Sequence, residues 1–222
     1  MQRKIPLITG EVYHVFNRSI ADYQIFNTSG DYLRMMQLLK YYQVETSRKF
    51  SDFIALKGAL KVDLNIFLER TVREKEKIVQ IIAYCLMPTH IHLILKQLVD
   101  EGISKYYGNI LNSYSRYFNT KHDRKGPLWE GKFKNVLVDT DEQLLHLTRY
   151  LHLNPVTAFL VDRPEEWSLS SFNEYLGYPK GLKLCEYEGL IKKDPSYRKF
   201  VSDRVTYQQE LAKIKTLLLE EN

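Results

Sequence analysis

The chain has 222 residues, 44% of them hydrophobic, with a formal net charge of +5. Such a chain can build a real core as one domain with an added segment, or as two small ones. A membrane-spanning helix is excluded, because no apolar run approaches the roughly 18 residues it needs. A disulfide framework or zinc ribbon is excluded as well: Cys85 and Cys185 stand 100 residues apart, with no Cys-x-x-Cys pair.

Taken in order, Met1 to Pro6 lacks the apolar stretch of a secretion leader, so a soluble intracellular protein is expected. Glu11–Asn17 alternates and is rich in β formers, which predicts a strand. Residues 31–45 carry helical periodicity after Ser29-Gly30-Asp31. Residues 46–78 are ambiguous, with a short charged helix expected near Leu64–Lys77. Ile78–Met87 reads as a strand buried on both faces, broken by Pro88-Thr89, and His90–Lys96 as the returning strand. A helix is expected from about Gly102 to Thr120, then a polar loop over Lys121–Gly126 and a fourth strand over Lys132–Val138. Asp139-Thr140-Asp141 caps a leucine-rich helix, with Pro155 expected just past its end. The order is that of a ferredoxin-like β-α-β-β-α-β unit of α+β class, an antiparallel sheet with helices on one face. An added helix bears Tyr150. A C-terminal helical extension is expected beyond it, including a charged helix over residues 204–222. We divide the chain into residues 1–160 and an extension, 161–222, packed on or near them.

Between Lys105 and Lys134 lie seven cations against two acids, interleaved with Tyr106, Tyr107, Tyr114, Tyr117, Phe118, Trp129 and Phe133. Cations suit phosphates and flat rings suit bases, so this stretch is a candidate nucleic-acid surface. A solvated helix face followed by a basic loop would look the same.

His90 and His92 are two apart on one strand, so both imidazoles share a face where the strand would otherwise be apolar. Such a pair can hold one divalent ion, or be two hydrogen-bonded core histidines. Tyr150 and Asn154, four apart, share a helix face. Pro155 is expected to turn the Asn154 amide out at the helix end. Tyr114 and Tyr117 compete with Tyr150 as reactive tyrosines but read more simply as core or base-stacking residues. His146, one turn before Tyr150, could accept its proton, although a packing role fits it better. His152 reads as structural, and the position of His14 is undecided.

Four ordered blocks resemble one family. Tyr13-His14-Val15-Phe16-Asn17-Arg18 is similar to its first strand, and Tyr84 to His92, with Pro88-Thr89-His90-Ile91-His92-Leu93, to its central hairpin. Arg149-Tyr150-Leu151-His152-Leu153-Asn154-Pro155-Val156 is similar to its tyrosine helix, and Trp167 to Phe172 to the following segment. These blocks resemble the REP-associated tyrosine transposases, within the single-tyrosine transposases named HUH for two histidines flanking a hydrophobic residue. The resemblance implies cutting and joining of single-stranded DNA near hairpins through a 5′-phosphotyrosine link. It implies Tyr150 as nucleophile, and His90, His92 and Asn154 as ligands of Mg²⁺ or Mn²⁺. Arg116, Lys121, Arg124, Lys125, Trp129, Lys132 and Lys134 are then expected to contact the nucleic acid. A cytoplasmic, nucleoid-associated monomer or homodimer is expected. The alternatives are a domesticated DNA- or RNA-binding protein without turnover, and a hydrolase that uses water with no covalent link.

Overall fold

The run from Val79 to Gln97 is apolar enough to be buried on both faces of a sheet. In the computed structural model, which describes residues 6–60, 63–179, 181–189, 196–207 and 209, it forms β2 (Val79–Met87) and β3 (His90–Gln97). Pro88-Thr89 makes the turn between them, and Met87 pairs with His90. β1 (Val12–Arg18) lies on the other side of β3, and β4 (Lys134–Val138) pairs with β1. The sheet order is β2-β3-β1-β4, with every neighbouring pair antiparallel. Two crossovers are interleaved here: β1 to β2 leaves a gap that β3 fills, and β3 to β4 leaves a gap that β1 fills. This is the ferredoxin-like arrangement expected from the element order.

α1 (Ser29–Tyr41) and α4 (Gly102–Lys121) pack on each other, and α4 contacts β2 and β3. α1 begins two residues earlier than its periodicity suggests. Thr28 is its cap, and Asp31 acts as the third-residue carboxylate of a capping box, accepting from the Asn27 and Thr28 amides at 3.0 and 2.9 Å. α2 (Phe50–Leu60) occupies the stretch that is ambiguous in sequence, followed by α3 (Leu64–Arg73). β4 starts at Lys134 rather than Lys132.

α5 (Asp141–Thr157) contacts β2. Thr140 caps it, its hydroxyl accepting from the Gln143 amide at 3.1 Å. The expected end before Pro155 is corrected: the helix runs through Pro155 to Thr157. Proline removes only its own amide, and the Ala158 amide still donates to the Asn154 carbonyl at 2.9 Å. Phe159, with φ 55°, then ends the helix in the left-handed region.

The segment after α5 closes the outer edge of β2. The Leu86 amide donates to the Leu169 carbonyl at 2.9 Å, and the Ser171 amide to the Tyr84 carbonyl at 3.0 Å. α6 (Phe172–Tyr175) and α7 (Tyr197–Ser202) follow. His152 on α5 is fully buried, with Nδ1 hydrogen-bonded to Tyr197 Oη and Nε2 to Ser171 Oγ, both at 2.8 Å. It is structural, as its sequence context suggests. Most of the expected terminal helix over 204–222 lies outside the described residues.

Candidate active site

The sheet register decides which side chains share a face. His90, His92 and Ile94 on β3 point the same way, and β1 adds His14, opposite Ile94, and Phe16, opposite His92. His14 and His92 are therefore diagonal neighbours, and their Nε2 and Nδ1 atoms share a hydrogen bond of 3.0 Å. His90 uses its own Nδ1 with Thr89 Oγ1 at 2.9 Å. No hydrogen bond engages Nε2 of His90 or His92 among the described residues. Burial holds all three rings neutral near pH 7: it lowers His14 and His90 to about 4 and His92 to about 3.

α5 carries the remaining pieces. Tyr150, Asn154, Thr157 and Ala158 follow one helical stripe and line a cleft of about 770 Å³ together with His90, His92 and Phe16. The Tyr150 ring stands edge-on to His92 and His14, with centroids 6.2 and 6.4 Å apart. Tyr150 is 44% exposed. Burial of its ring side, and secondarily Cys85, still raises its pKa. Asn154 is buried, and its Nδ2 has no hydrogen-bond partner among the described residues. Asn154 lines the cleft, and a buried amide without a partner is costly. Amide oxygen and nitrogen are interchangeable in assignment, so the group offers either a donor or an acceptor.

Arg18, Lys132, Lys134 and Glu130 also line the cleft, giving a rim with more positive than negative charge. The other cations expected to meet nucleic acid lie elsewhere. Arg116 and Lys121 border a separate groove. Lys121 Nζ donates to Asp31 Oδ1 at 2.6 Å, so it is bound to a buried carboxylate. Arg124 holds its own loop, donating to Asn119 Oδ1 and the Pro127 carbonyl at 3.0 and 2.7 Å, while Lys125 is exposed. Trp129 is corrected to a core residue: its ring is buried, and its indole N–H donates to the Leu111 carbonyl at 3.2 Å. His146 is turned from the cleft toward Arg149 and Phe200. Tyr114 is buried, its hydroxyl donating to the Ile25 carbonyl at 2.6 Å. His14 is the site residue that sequence alone leaves undecided, since its place depends on which strand pairs with β3.

No group of three or more His, Cys, Asp or Glu side chains among the described residues is placed to hold a metal ion. The available donors are two neutral imidazoles and one amide. They fit a divalent ion in type: both Nε2 lone pairs are unengaged, and each Nδ1 is held by a partner that fixes the ring.

The fold, a four-stranded antiparallel sheet of β2-β3-β1-β4 order with an added helix, is of the transposase type. Residues 55–154 match the family described as Transposase IS200 like, a segment that contains His90, His92, Tyr150 and Asn154. That stretch, a little under half of the chain, is similar to IS200-like transposases, and two further likenesses are to REP-associated tyrosine transposases. A curated Haemophilus influenzae protein named for that group is 26% identical over 102 residues. The matched stretch is 41% of this chain and 58% of that relative, so under two thirds of the relative's length is spanned. The solved structure of a REP-associated tyrosine transposase bound to a REP hairpin shares the fold. Its TM-score is 0.53 at 14% identity, over 85% of this chain and 94% of that one. No described helix is long and apolar enough to cross a membrane.

Proposed function

We propose that this protein cuts and rejoins single-stranded DNA beside hairpins, with Tyr150 as nucleophile. The observation that carries the reading is one cleft in which a partly exposed tyrosine stands edge-on to His92, whose Nε2, like that of His90, has no hydrogen-bond partner among the described residues. In the forward step the Tyr150 oxygen bonds to phosphorus and the bond to the 3′ oxygen breaks. The phenol proton leaves, and the freed 3′ oxygen is protonated. In the reverse step a 3′-hydroxyl attacks the phosphotyrosine and restores the phenol. Phosphodiester energy is conserved in the link, so no nucleotide cofactor is required.

A phenol with pKa near 10 is a weak nucleophile at neutral pH, and burial makes this one weaker. The cleft must therefore supply positive charge. Arg18, Lys132 and Lys134 on the rim attract the phosphodiester. His90 Nε2, His92 Nε2 and the Asn154 amide oxygen would hold a divalent ion, which when bound stabilises charge on the scissile phosphate. Two imidazoles and one amide suit Mn²⁺ better than the oxygen-loving Mg²⁺. His14 holds the His92 ring through the 3.0 Å bond and so aims its Nε2. The hairpin preference rests on the relative solved with a REP hairpin.

The test is a denaturing protein gel after incubation with a labelled hairpin carrying single-stranded arms and Mn²⁺. A covalent protein–DNA band is expected, and Tyr150→Phe should remove it without changing the melting temperature. Cleavage that survives Tyr150→Phe would point to hydrolysis by water and overturn the assignment. Binding with no cleavage by the unaltered protein would leave a DNA-binding module.

A further inference from the structure

A groove of about 580 Å³ runs between α1, α2 and α4 and shares no lining residue with the catalytic cleft. Arg34, Lys49 and Arg116 border it, and Leu38, Ile54 and Tyr117 give it apolar walls. Among the described residues no carboxylate lines it. A fourth cation, Lys121, is already committed to Asp31.

Arg34 is the unusual member. Its guanidinium carbon lies 5.2 Å from the centroid of Phe50 and 5.0 Å from that of Tyr117, so it is held between two rings. It is half-buried, yet among the described residues it makes no hydrogen bond and no ion pair. Burial accordingly works against its charge, lowering its pKa. A guanidinium carries five donors in a rigid fork. Orienting that fork on two rings while leaving all its donors without a protein acceptor is unfavourable in isolation. A bound anion reverses the balance, because the ordering is already done and the partner arrives with the ligand. Arg116 and Lys49 are exposed and likewise have no ion-pair partner among the described residues.

We propose that this groove is a second nucleic-acid site, which holds one nucleotide of the DNA strand away from the cut position. Arg34 takes the phosphate with help from Arg116 and Lys49, and the unstacked base lies against Ile54 and Tyr117. The mix of cations and apolar walls is what a single-stranded nucleotide needs, since its phosphate is charged and its base is a flat ring. An ordinary acidic protein segment would match the cations but not the need for a planar group.

This inference rests on the reading that the chain binds DNA, and its test separates the two. Binding is measured by fluorescence anisotropy in the Tyr150→Phe protein, so that cleavage plays no part. The probes are labelled oligothymidylate and a hairpin with single-stranded arms, each over a series of salt concentrations. The Arg34→Gln, Arg116→Gln double variant is expected to bind about tenfold more weakly. Its salt slope should fall by about 0.7, the change expected when one single-strand phosphate is no longer neutralised. Arg34→Lys keeps the charge and loses the fork, so it should keep most of the slope and part of the affinity. Ile54→Ala should weaken binding without moving the slope. Unchanged affinity and slope in the double variant overturn the groove site while leaving adduct formation in the unaltered protein as it was. A drop in affinity shared equally by Arg34→Lys, with a fallen melting temperature, also overturns it, because the residue then serves the fold. No adduct in the unaltered protein, with binding that still depends on Arg34, overturns the covalent reading alone. No DNA binding at all overturns both.

Discussion

His92 and His152 are buried to a similar degree, and burial holds each neutral with a pKa near 3. They differ in what their nitrogens meet. His152 has a protein partner on both, Tyr197 and Ser171, at 2.8 Å. Among the described residues His92 has a hydrogen-bond partner on Nδ1 only, and its side chain lines the cleft. Burial and charge state therefore do not mark a functional histidine in this molecule. In the proposed reading His92 is set apart by a ring nitrogen that no described residue engages, on a side chain that lines the cleft.

The sharpest way to break this comparison is to remove each ring. His152→Ala takes one hydrogen-bond partner from each of Ser171 and Tyr197 and leaves a void, and it should cost about 3–5 kcal/mol of stability. Urea denaturation would show it, and adduct formation should fall only as the folded fraction does. His92→Ala should cost about 1–2 kcal/mol and yet eliminate the adduct. If the two variants lose stability equally, the distinction between them fails. A smaller effect is expected at His14, which touches neither the DNA nor the ion in this reading. His14→Phe should weaken Mn²⁺ binding by about 10- to 100-fold in titration calorimetry, with His14→Gln recovering part of it. An Mn²⁺ affinity unmoved by His14→Phe would show that the 3.0 Å bond does not position His92.

An effect confined to acid pH concerns another buried group with several hydrogen-bond partners. Burial alone would raise Asp31, but hydrogen bonds from Lys121, Tyr117 and Thr28 outweigh it and hold the carboxyl at about 2. A depressed carboxylate stabilises the fold above its unfolded pKa and loses that contribution as pH falls through the folded one. Asp31 should therefore contribute about 2 kcal/mol above pH ~4, fading toward pH ~2. Acid titration of stability should be shallower over that window in Asp31→Asn, and equal slopes would remove Asp31 from the account.

Much of the fold and site is legible in sequence where local chemistry decides. The β2–β3 hairpin follows from an apolar run broken by Pro88-Thr89, and the Tyr150–Asn154 stripe from helical spacing. The start of α5 is readable from Thr140. Its end is not, because a proline inside a helix forfeits one bond and the chain can still continue. α2 escapes a pattern reading because Phe50–Leu60 is apolar on most sides and carries Gly58, so its periodicity is weak. Trp129 looks like a DNA contact because cations surround it in sequence, whereas its ring turns inward to Leu111. The place of His14 cannot be read at all, since it needs the β1–β3 register. Arg34 is hidden for a similar reason: its two rings come from α2 and α4.

The His14–His92 bond has a consequence for where protons reside. A cation on His92 Nε2 obliges that ring to keep its proton on Nδ1, which then points at His14 Nε2. Neutral His14 must in turn carry its own proton on Nδ1. Two rings on adjacent strands thus form a short wire of aligned dipoles, with its negative end toward the ion. Occupancy at the floor of the cleft would be written into the tautomer of a residue on β1 that the ion never meets.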